Sequence, residues 1–136
     1  MNQSIKYLVC LISLIATSYS FSATCPSVET LKQSTIFVMV ADMCNGESNC
    51  EAYGAAALPF INGETWLVMS MAFDNPRTTL AQGQKLLNKA QTPTIMRDGE
   101  VDICVYYMDQ SAHKAVLAIP YSEMMQSGKT SFNMPR

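Results

Sequence analysis

The chain has 136 residues, a formal net charge of −2 and 49% hydrophobic residues. A chain of this length can build one small domain and is too short for two. Its nine Lys and Arg residues form no basic stripe, which excludes the electrostatic pattern that binding to a phosphate backbone requires. We therefore predict that nucleic acid is not a partner.

The first 23 residues have the pattern of a secretory signal peptide. Met1–Lys6 is polar with one positive charge, Tyr7–Ala16 is apolar, and Thr17–Ala23 consists mainly of small residues. The apolar run has about ten residues, whereas a membrane-spanning helix needs about 20. We predict a signal peptide over residues 1–23 and a secreted or periplasmic protein without a stable membrane anchor after cleavage. Residues 24–136 then form a single domain with a loose C-terminal tail.

Four cysteines remain after the signal peptide, and an even number in a small exported domain predicts two disulfides. The turn-forming residues between Cys44 and Cys50 allow these two to pair. Cys25 would then pair with Cys104. A metal site is the alternative, but the sequence has no Cys-x-x-Cys pair and a single histidine.

The first half of the chain predicts a short helix followed by strands. Pro26 and Ser27 favour the start of a helix that runs to Lys32 or Gln33. Ser34–Met43 is rich in β-branched residues, which favours a strand. Glu51–Leu58 is ambiguous because its alanines favour a helix, whereas Gly54 and Pro59 shorten one. Asn62-Gly63 is typical of a hairpin turn, with arms at Phe60-Ile61 and Glu64–Phe73.

The second half of the chain predicts the main helix and a further hairpin. Thr78–Ala90 is amphipathic, although Gly83 weakens a helix by about 1 kcal/mol relative to Ala. Strands are expected at Thr92–Met96, at Glu100–Met108 after an Asp98-Gly99 turn, and at Lys114–Tyr121, before a short helix from Ser122 to near Gly128. The predicted fold is α+β, a small single domain in which one main helix packs on an antiparallel sheet of four to five strands with two disulfides.

Two groups of residues could carry catalysis. Asp98, Glu100 and Asp102 are spaced by two, and on one strand face they could hold a hard cation or act as paired acids in a hydrolase. The alternative is a solvent-facing strand end. His113 is the only histidine, and no Gly-x-Ser-x-Gly motif accompanies it, so we name no catalytic residue.

Methionine and tyrosine are the unusual enrichment. Nine methionines follow the signal peptide: Met39, Met43, Met69, Met71, Met96, Met108, Met124, Met125 and Met134. Tyr106, Tyr107 and Met108 precede His113 closely, and haem iron accepts His, Met or Tyr as axial ligands. Copper also binds thioethers and imidazole. The alternative is that the methionines fill the core or form an adaptable binding surface.

One pattern of residues extends across the chain after the signal peptide. It consists of Cys25-Pro26-Ser27-Val28, Gly63-Glu64-Thr65-Trp66, Asp98-Gly99 and Cys104-Val105-Tyr106. This pattern resembles small exported, mostly uncharacterised proteins of intracellular Gram-negative bacteria, a group that includes a small haemin-binding protein. The resemblance implies export and contact with haem, and it implies no particular ligand residue.

The sequence therefore favours an exported, non-catalytic protein that binds a protein partner or a small hydrophobic ligand. Haem is the specific candidate, with His113 as the expected axial ligand and Tyr106, Tyr107 or Met108 nearby. Two alternatives remain open. One is a small hydrolase that uses the acidic residues, and the other is an enzyme inhibitor that presents the Cys44–Cys50 loop.

Overall fold

A computed structural model describes residues 24–42, 52–70, 73–109 and 114–128. The predicted signal peptide, the Cys44–Cys50 loop with its predicted disulfide, His113 and the C-terminal tail all lie outside these ranges. The helices of the described part are α1 (Val28–Ser34), α2 (Thr79–Asn88) and α3 (Tyr121–Ser127). Its strands are β1 (Met39–Asp42), β2 (Tyr53–Ala57), β3 (Phe60–Ile61), β4 (Glu64–Ser70), β5 (Thr94–Asp98), β6 (Val101–Asp109) and β7 (Lys114–Pro120).

The strands form one antiparallel sheet of seven strands in the order β1-β2-β4-β7-β6-β5, with β3 paired to β4. The α+β class is confirmed, but the predicted count of four to five strands is wrong. The count fell short because β3 has only two residues and because the alanine-rich segment before it could not be assigned.

The alanine-rich segment is strand β2, although alanine favours helices. Gly54, Ala55, Ala56 and Ala57 are all buried in it. An ideal Cβ built on Gly83 of α2 would lie only 2.6 Å from the Cβ of Ala55. Small residues are therefore needed on both sides of this contact, and close packing overrides the local helix propensity of alanine.

The helices form where the sequence predicts them, and side-chain hydrogen bonds hold the starts of α1 and α3. Ser27 caps α1 by accepting a hydrogen bond from the Thr30 backbone N–H at 3.2 Å. The start of α3 is held from outside the helix, because the Ser122 hydroxyl donates to Glu64 of β4 at 2.7 Å. Glu64 is a capping partner that the sequence pattern did not reveal, since 58 residues separate the two.

Both hairpin turns are present, one of them a residue later than expected. Asn62 and Gly63 have φ values of 52° and 81°, as the predicted turn requires. In the second hairpin Asp98 still pairs with Val101, so the turn consists of Gly99 and Glu100 instead of Asp98-Gly99. Gly99 has a φ of 65°, which glycine adopts without steric cost.

The disulfide between Cys25 and Cys104 is confirmed. It joins residues 79 positions apart, with their Cα atoms 5.7 Å from each other. Close to this bond, the Tyr106 hydroxyl, two residues after Cys104, donates to the carbonyl oxygen of Pro26, the residue after Cys25, at 2.6 Å. The bond and the hydrogen bond together fasten the segment before α1 to the middle of β6.

The two faces of the sheet have separate cores. Helices α1 and α2 cover one face, which we call the helix face; its buried residues include Leu31, Phe37, Ala55, Trp66, Val68, Leu87, Cys104, Tyr106 and Val116. The other face is built on the residues of β6 and β7 that alternate with these: Val101, Ile103, Val105, Ala115, Leu117 and Ile119. Among the described residues, no helix is long and apolar enough to cross a membrane.

Candidate functional site: a methionine-rich sheet face

Methionines collect on the sheet face opposite α1 and α2. Met39 of β1 lies opposite Ala56 of β2, and Ala56 lies opposite Met69 of β4. Met69 in turn lies opposite Leu117 of β7. Because directly opposed residues of an antiparallel sheet share a face, both methionines lie on the face of Leu117.

Three further side chains complete this surface from the strands. Met96 of β5 lies opposite Ile103, Tyr107 of β6 opposite Ala115, and Leu67 of β4 opposite Ile119. Helix α3 contributes Met124, which packs on the same core. We call this surface the methionine face, defined by Met39, Leu67, Met69, Met96, Tyr107 and Met124.

The methionine face is only partly closed. Met39 is 43% exposed, and the other five side chains are half-buried around the buried centre. Of the helices in the described ranges, α3 alone contributes to this core. Its seven residues span about 10 Å, whereas the nine residues of β6 extend about 30 Å. Helix α3 therefore reaches along only a part of the strands that it packs against.

Carboxylates fix the position of α3 on the sheet. Glu64 accepts hydrogen bonds from the Ser122 hydroxyl at 2.7 Å and from its backbone N–H at 3.4 Å. Glu123 of α3 accepts from the backbone N–H of Asp102 at 3.2 Å. These contacts hold α3 at the end of the sheet where β4 and β6 begin and β7 ends, so it lies away from Tyr107.

The structure separates the residues proposed from the sequence as haem ligands. Tyr106 lies on the helix face and is fully buried, with its hydroxyl engaged by Pro26. Burial raises the pKa of the Tyr106 phenol, so it stays protonated at neutral pH. Tyr107 lies on the methionine face, whereas Met108 packs against the helix-face core. A ligand on the methionine face could therefore meet Tyr107, but not Tyr106 or Met108.

The three acidic residues proposed for hydrolysis lie in three different elements. Asp98 ends β5, Glu100 is exposed in the turn, and Asp102 is buried in β6. Asp102 accepts a hydrogen bond from the Arg97 guanidinium at 2.9 Å, and this bond raises the pKa of Arg97. The prediction that the three carboxylates share a face required them to lie on one continuous strand. The turn at Gly99 and Glu100 separates β5 from β6, so they do not. Within the described residues, no group of three or more His, Cys, Asp or Glu side chains could hold a metal ion.

Comparison with known proteins found no matching protein family, no matching curated protein and no matching solved structure.

Proposed function

We propose that this protein is an exported, non-catalytic binding protein that holds a flat apolar ligand, with haemin as the specific candidate, on its methionine face. The observation that carries the proposal is the segregation of methionine. Four of the six methionines in the described ranges belong to this one face, namely Met39, Met69, Met96 and Met124. The Cys25–Cys104 disulfide supports export, because disulfides persist in oxidising compartments.

The chemistry of methionine suits this role. Its unbranched side chain has three rotatable bonds and a polarizable sulfur that contacts aromatic rings favourably. Half-buried methionines can therefore rearrange around a planar ring system without disturbing the strands that carry them. The buried residues beneath, such as Leu117 and Ile103, provide the fixed floor of the surface.

The roles of the carboxylates favour binding over catalysis. Asp102 is paired with Arg97, and Glu64 and Glu123 hold helix α3. A general acid needs a carboxyl group that can exchange its proton with a substrate. A carboxylate that is held in such a structural contact is poorly suited to exchange a proton with a substrate. These contacts therefore favour the binding proposal over the hydrolase alternative.

A haemin titration followed by Soret absorbance tests the proposal. Met96 and Ile95 are neighbours on β5 whose side chains point to opposite faces, and Ile95 is 53% exposed. Met96→Glu places a charge on the methionine face and is expected to weaken haemin binding about tenfold or more, whereas Ile95→Glu is expected to leave it unchanged. Equal losses in both variants, or no saturable binding by the unaltered protein, would reject the proposal.

The axial ligand is tested in the same titration. His113 and Tyr107 are the two candidates that follow from the sequence and from the position of Tyr107 on the methionine face. Loss of the saturable Soret shift in His113→Ala identifies histidine as the ligand, and loss in Tyr107→Phe identifies tyrosine. A shift that survives both substitutions would contradict ligation by either residue and would leave a methionine ligand or apolar adsorption.

A further inference from the structure

The four methionines of the methionine face fall into two pairs. Met96 and Met124 pack against the buried centre that β6 and β7 form. Among the described residues, Met39 and Met69 belong to neither of the two cores, and Met39 is 43% exposed. Methionine in a protein most often fills irregular space in a core. That role accounts for the first pair and leaves the second pair unexplained.

The strand register places Met39 and Met69 on either side of one alanine. Ala56 of β2 lies opposite Met39 of β1 and also opposite Met69 of β4, so the three side chains share a face. Each step between opposed residues is about 5 Å, which puts the Cα atoms of the two methionines about 10 Å apart. Because Ala56 carries only a methyl group and is buried, its side chain does not separate the two methionines.

The two thioethers can meet above Ala56. A point above the alanine lies about 5 Å along the sheet from each methionine Cα, which is within the length of a methionine side chain. The side chain is unbranched and has three rotatable bonds, so its sulfur can be turned toward that point. Met69 is half-buried and Met39 is exposed, and neither has to leave a core to do so.

Two thioethers on one face favour a soft metal ion. Thioether sulfur is neutral and polarizable, and it suits Cu(I). Calcium and magnesium require oxygen ligands, and zinc is bound by thiolate, imidazole or carboxylate. Met39, Ala56 and Met69 offer none of these groups in their side chains. The exposure of Met39 also gives an ion access to the site from solvent.

We propose that Met39 and Met69 bind one Cu(I) ion between their sulfur atoms, above Ala56. The ion is bound by coordination alone, so copper stays Cu(I) and no electron is transferred. The site lies on the β1 side of the methionine face, whereas Met96 and Met124 pack on the centre at β6 and β7. The proposal therefore does not depend on haemin binding.

Anaerobic competition between the oxidised protein and bicinchoninate, a chromophoric Cu(I) chelator, tests the site. Free thiols are alkylated beforehand, so that cysteine cannot bind the ion. The unaltered protein is expected to take up a single Cu(I) per chain. Met39→Leu and Met69→Leu preserve side-chain volume, and each is expected to weaken binding about tenfold or more. Met96→Leu is the matched control on the same face and is expected to leave the affinity unchanged.

Binding of one ion by both sulfurs has a further signature. The double variant is expected to bind little more weakly than either single variant, because each single substitution already breaks the pair. In NMR spectra of protein labelled with ¹³C at its methionine methyl groups, the signals of Met39 and Met69 are expected to shift together as Cu(I) is added. The signal of Met124 is expected to keep its position. Losses that simply add, or signals that shift at different Cu(I) concentrations, would overturn the shared site.

The pH dependence distinguishes thioethers from other copper ligands. A thioether has no proton to release, so the affinity is expected to be the same at about pH 6 and pH 8. Binding by imidazole or thiolate weakens as the pH falls. No uptake of Cu(I), an equal loss in Met96→Leu, or an affinity that falls with pH would overturn the proposal.

Circular dichroism confirms that each variant is folded, and one substitution separates this proposal from the proposed function. Met96→Glu is expected to weaken haemin binding and to leave Cu(I) binding unchanged. Failure of one proposal therefore does not decide the other.

Discussion

The two faces of the sheet differ in how firmly they are closed. On the helix face, Leu31, Leu87 and Tyr106 are fully buried, and a disulfide and a hydrogen bond fasten the chain across it. On the methionine face, flexible side chains stay half-buried around a small buried centre. The helix face therefore carries the contacts that fix the fold most firmly, and this contrast is the reason why we place the proposed ligand on the methionine face.

Removal of the disulfide is the strongest test of the helix face. Replacing Cys25 and Cys104 by serine opens a loop whose ends are 79 residues apart. On the chain-entropy model the free energy of unfolding falls by about 4 kcal/mol, since the unfolded chain regains conformational freedom. Urea denaturation measures the loss, and a decrease below about 1 kcal/mol would contradict a stabilising role for this bond.

A methyl group at Gly83 is expected to have the next largest effect. Gly83→Ala adds helix propensity of about 1 kcal/mol, but the new Cβ would lie 2.6 Å from that of Ala55 and 3.3 Å from the Phe37 ring. The overpacking is expected to prevail and to lower the free energy of unfolding by about 2 kcal/mol. Gln82→Ala, at an exposed position of the same helix, is the control. Greater stability in Gly83→Ala would show that α2 and β2 are not held this closely.

Removal of the Tyr106 hydroxyl tests how much its hydrogen bond to Pro26 stabilises the fold. Tyr106→Phe leaves the Pro26 carbonyl without this donor and is expected to cost about 1 kcal/mol, measured by urea denaturation. Tyr107→Phe, on the other face, is expected to cost less.

The same hydroxyl also predicts a pH dependence. Burial raises the pKa of Tyr106 in the folded protein above the value of about 10 in the unfolded chain. Its contribution to stability is therefore fully present below pH about 10 and is lost as the pH rises above that value, because only the unfolded chain releases the proton there. A decline above pH 10 that is equally steep in Tyr106→Phe would contradict this origin.

A conservative change on the methionine face is expected to have the smallest effect on stability. Met96→Leu preserves the volume of the side chain and should change the free energy of unfolding by less than about 1 kcal/mol. It removes the flexible thioether, so haemin affinity is expected to fall by a small factor, about threefold. The reverse pattern, a large loss of stability with unchanged binding, would assign Met96 to the core of the fold alone.

The elements with strong local patterns could be predicted from the sequence. The alternation of Val101, Ile103 and Val105 predicted β6, and Asn62-Gly63 predicted the turn between β3 and β4, because both signals depend only on neighbouring residues. Strand β2 could not be assigned, since its alanines form a strand only in response to the close approach of α2. Gly83 was expected to weaken helix α2. The sequence could not show that a glycine is needed there because the helix lies so close to Ala55 of β2.

The candidate site depended on register, which the sequence did not provide. Met39, Met69 and Met96 are far apart in the chain, and pairing among six strands brings them to one face. The separation of Tyr106 from Tyr107 could have been predicted, because neighbours on a strand point to opposite faces. Which of the two would be buried beneath helices was decided by the disulfide at Cys104 and by α1 and α2.

The most direct test of the difference between the faces is a haemin titration of protein labelled with ¹³C at its methionine methyl groups, observed by NMR. The account predicts that the signals of Met39, Met69, Met96 and Met124 shift or broaden first, because these residues belong to the methionine face. Met108 packs against the opposite core and is the internal control, which should keep its position. Perturbation of Met108 before or equally with the other four would contradict the account.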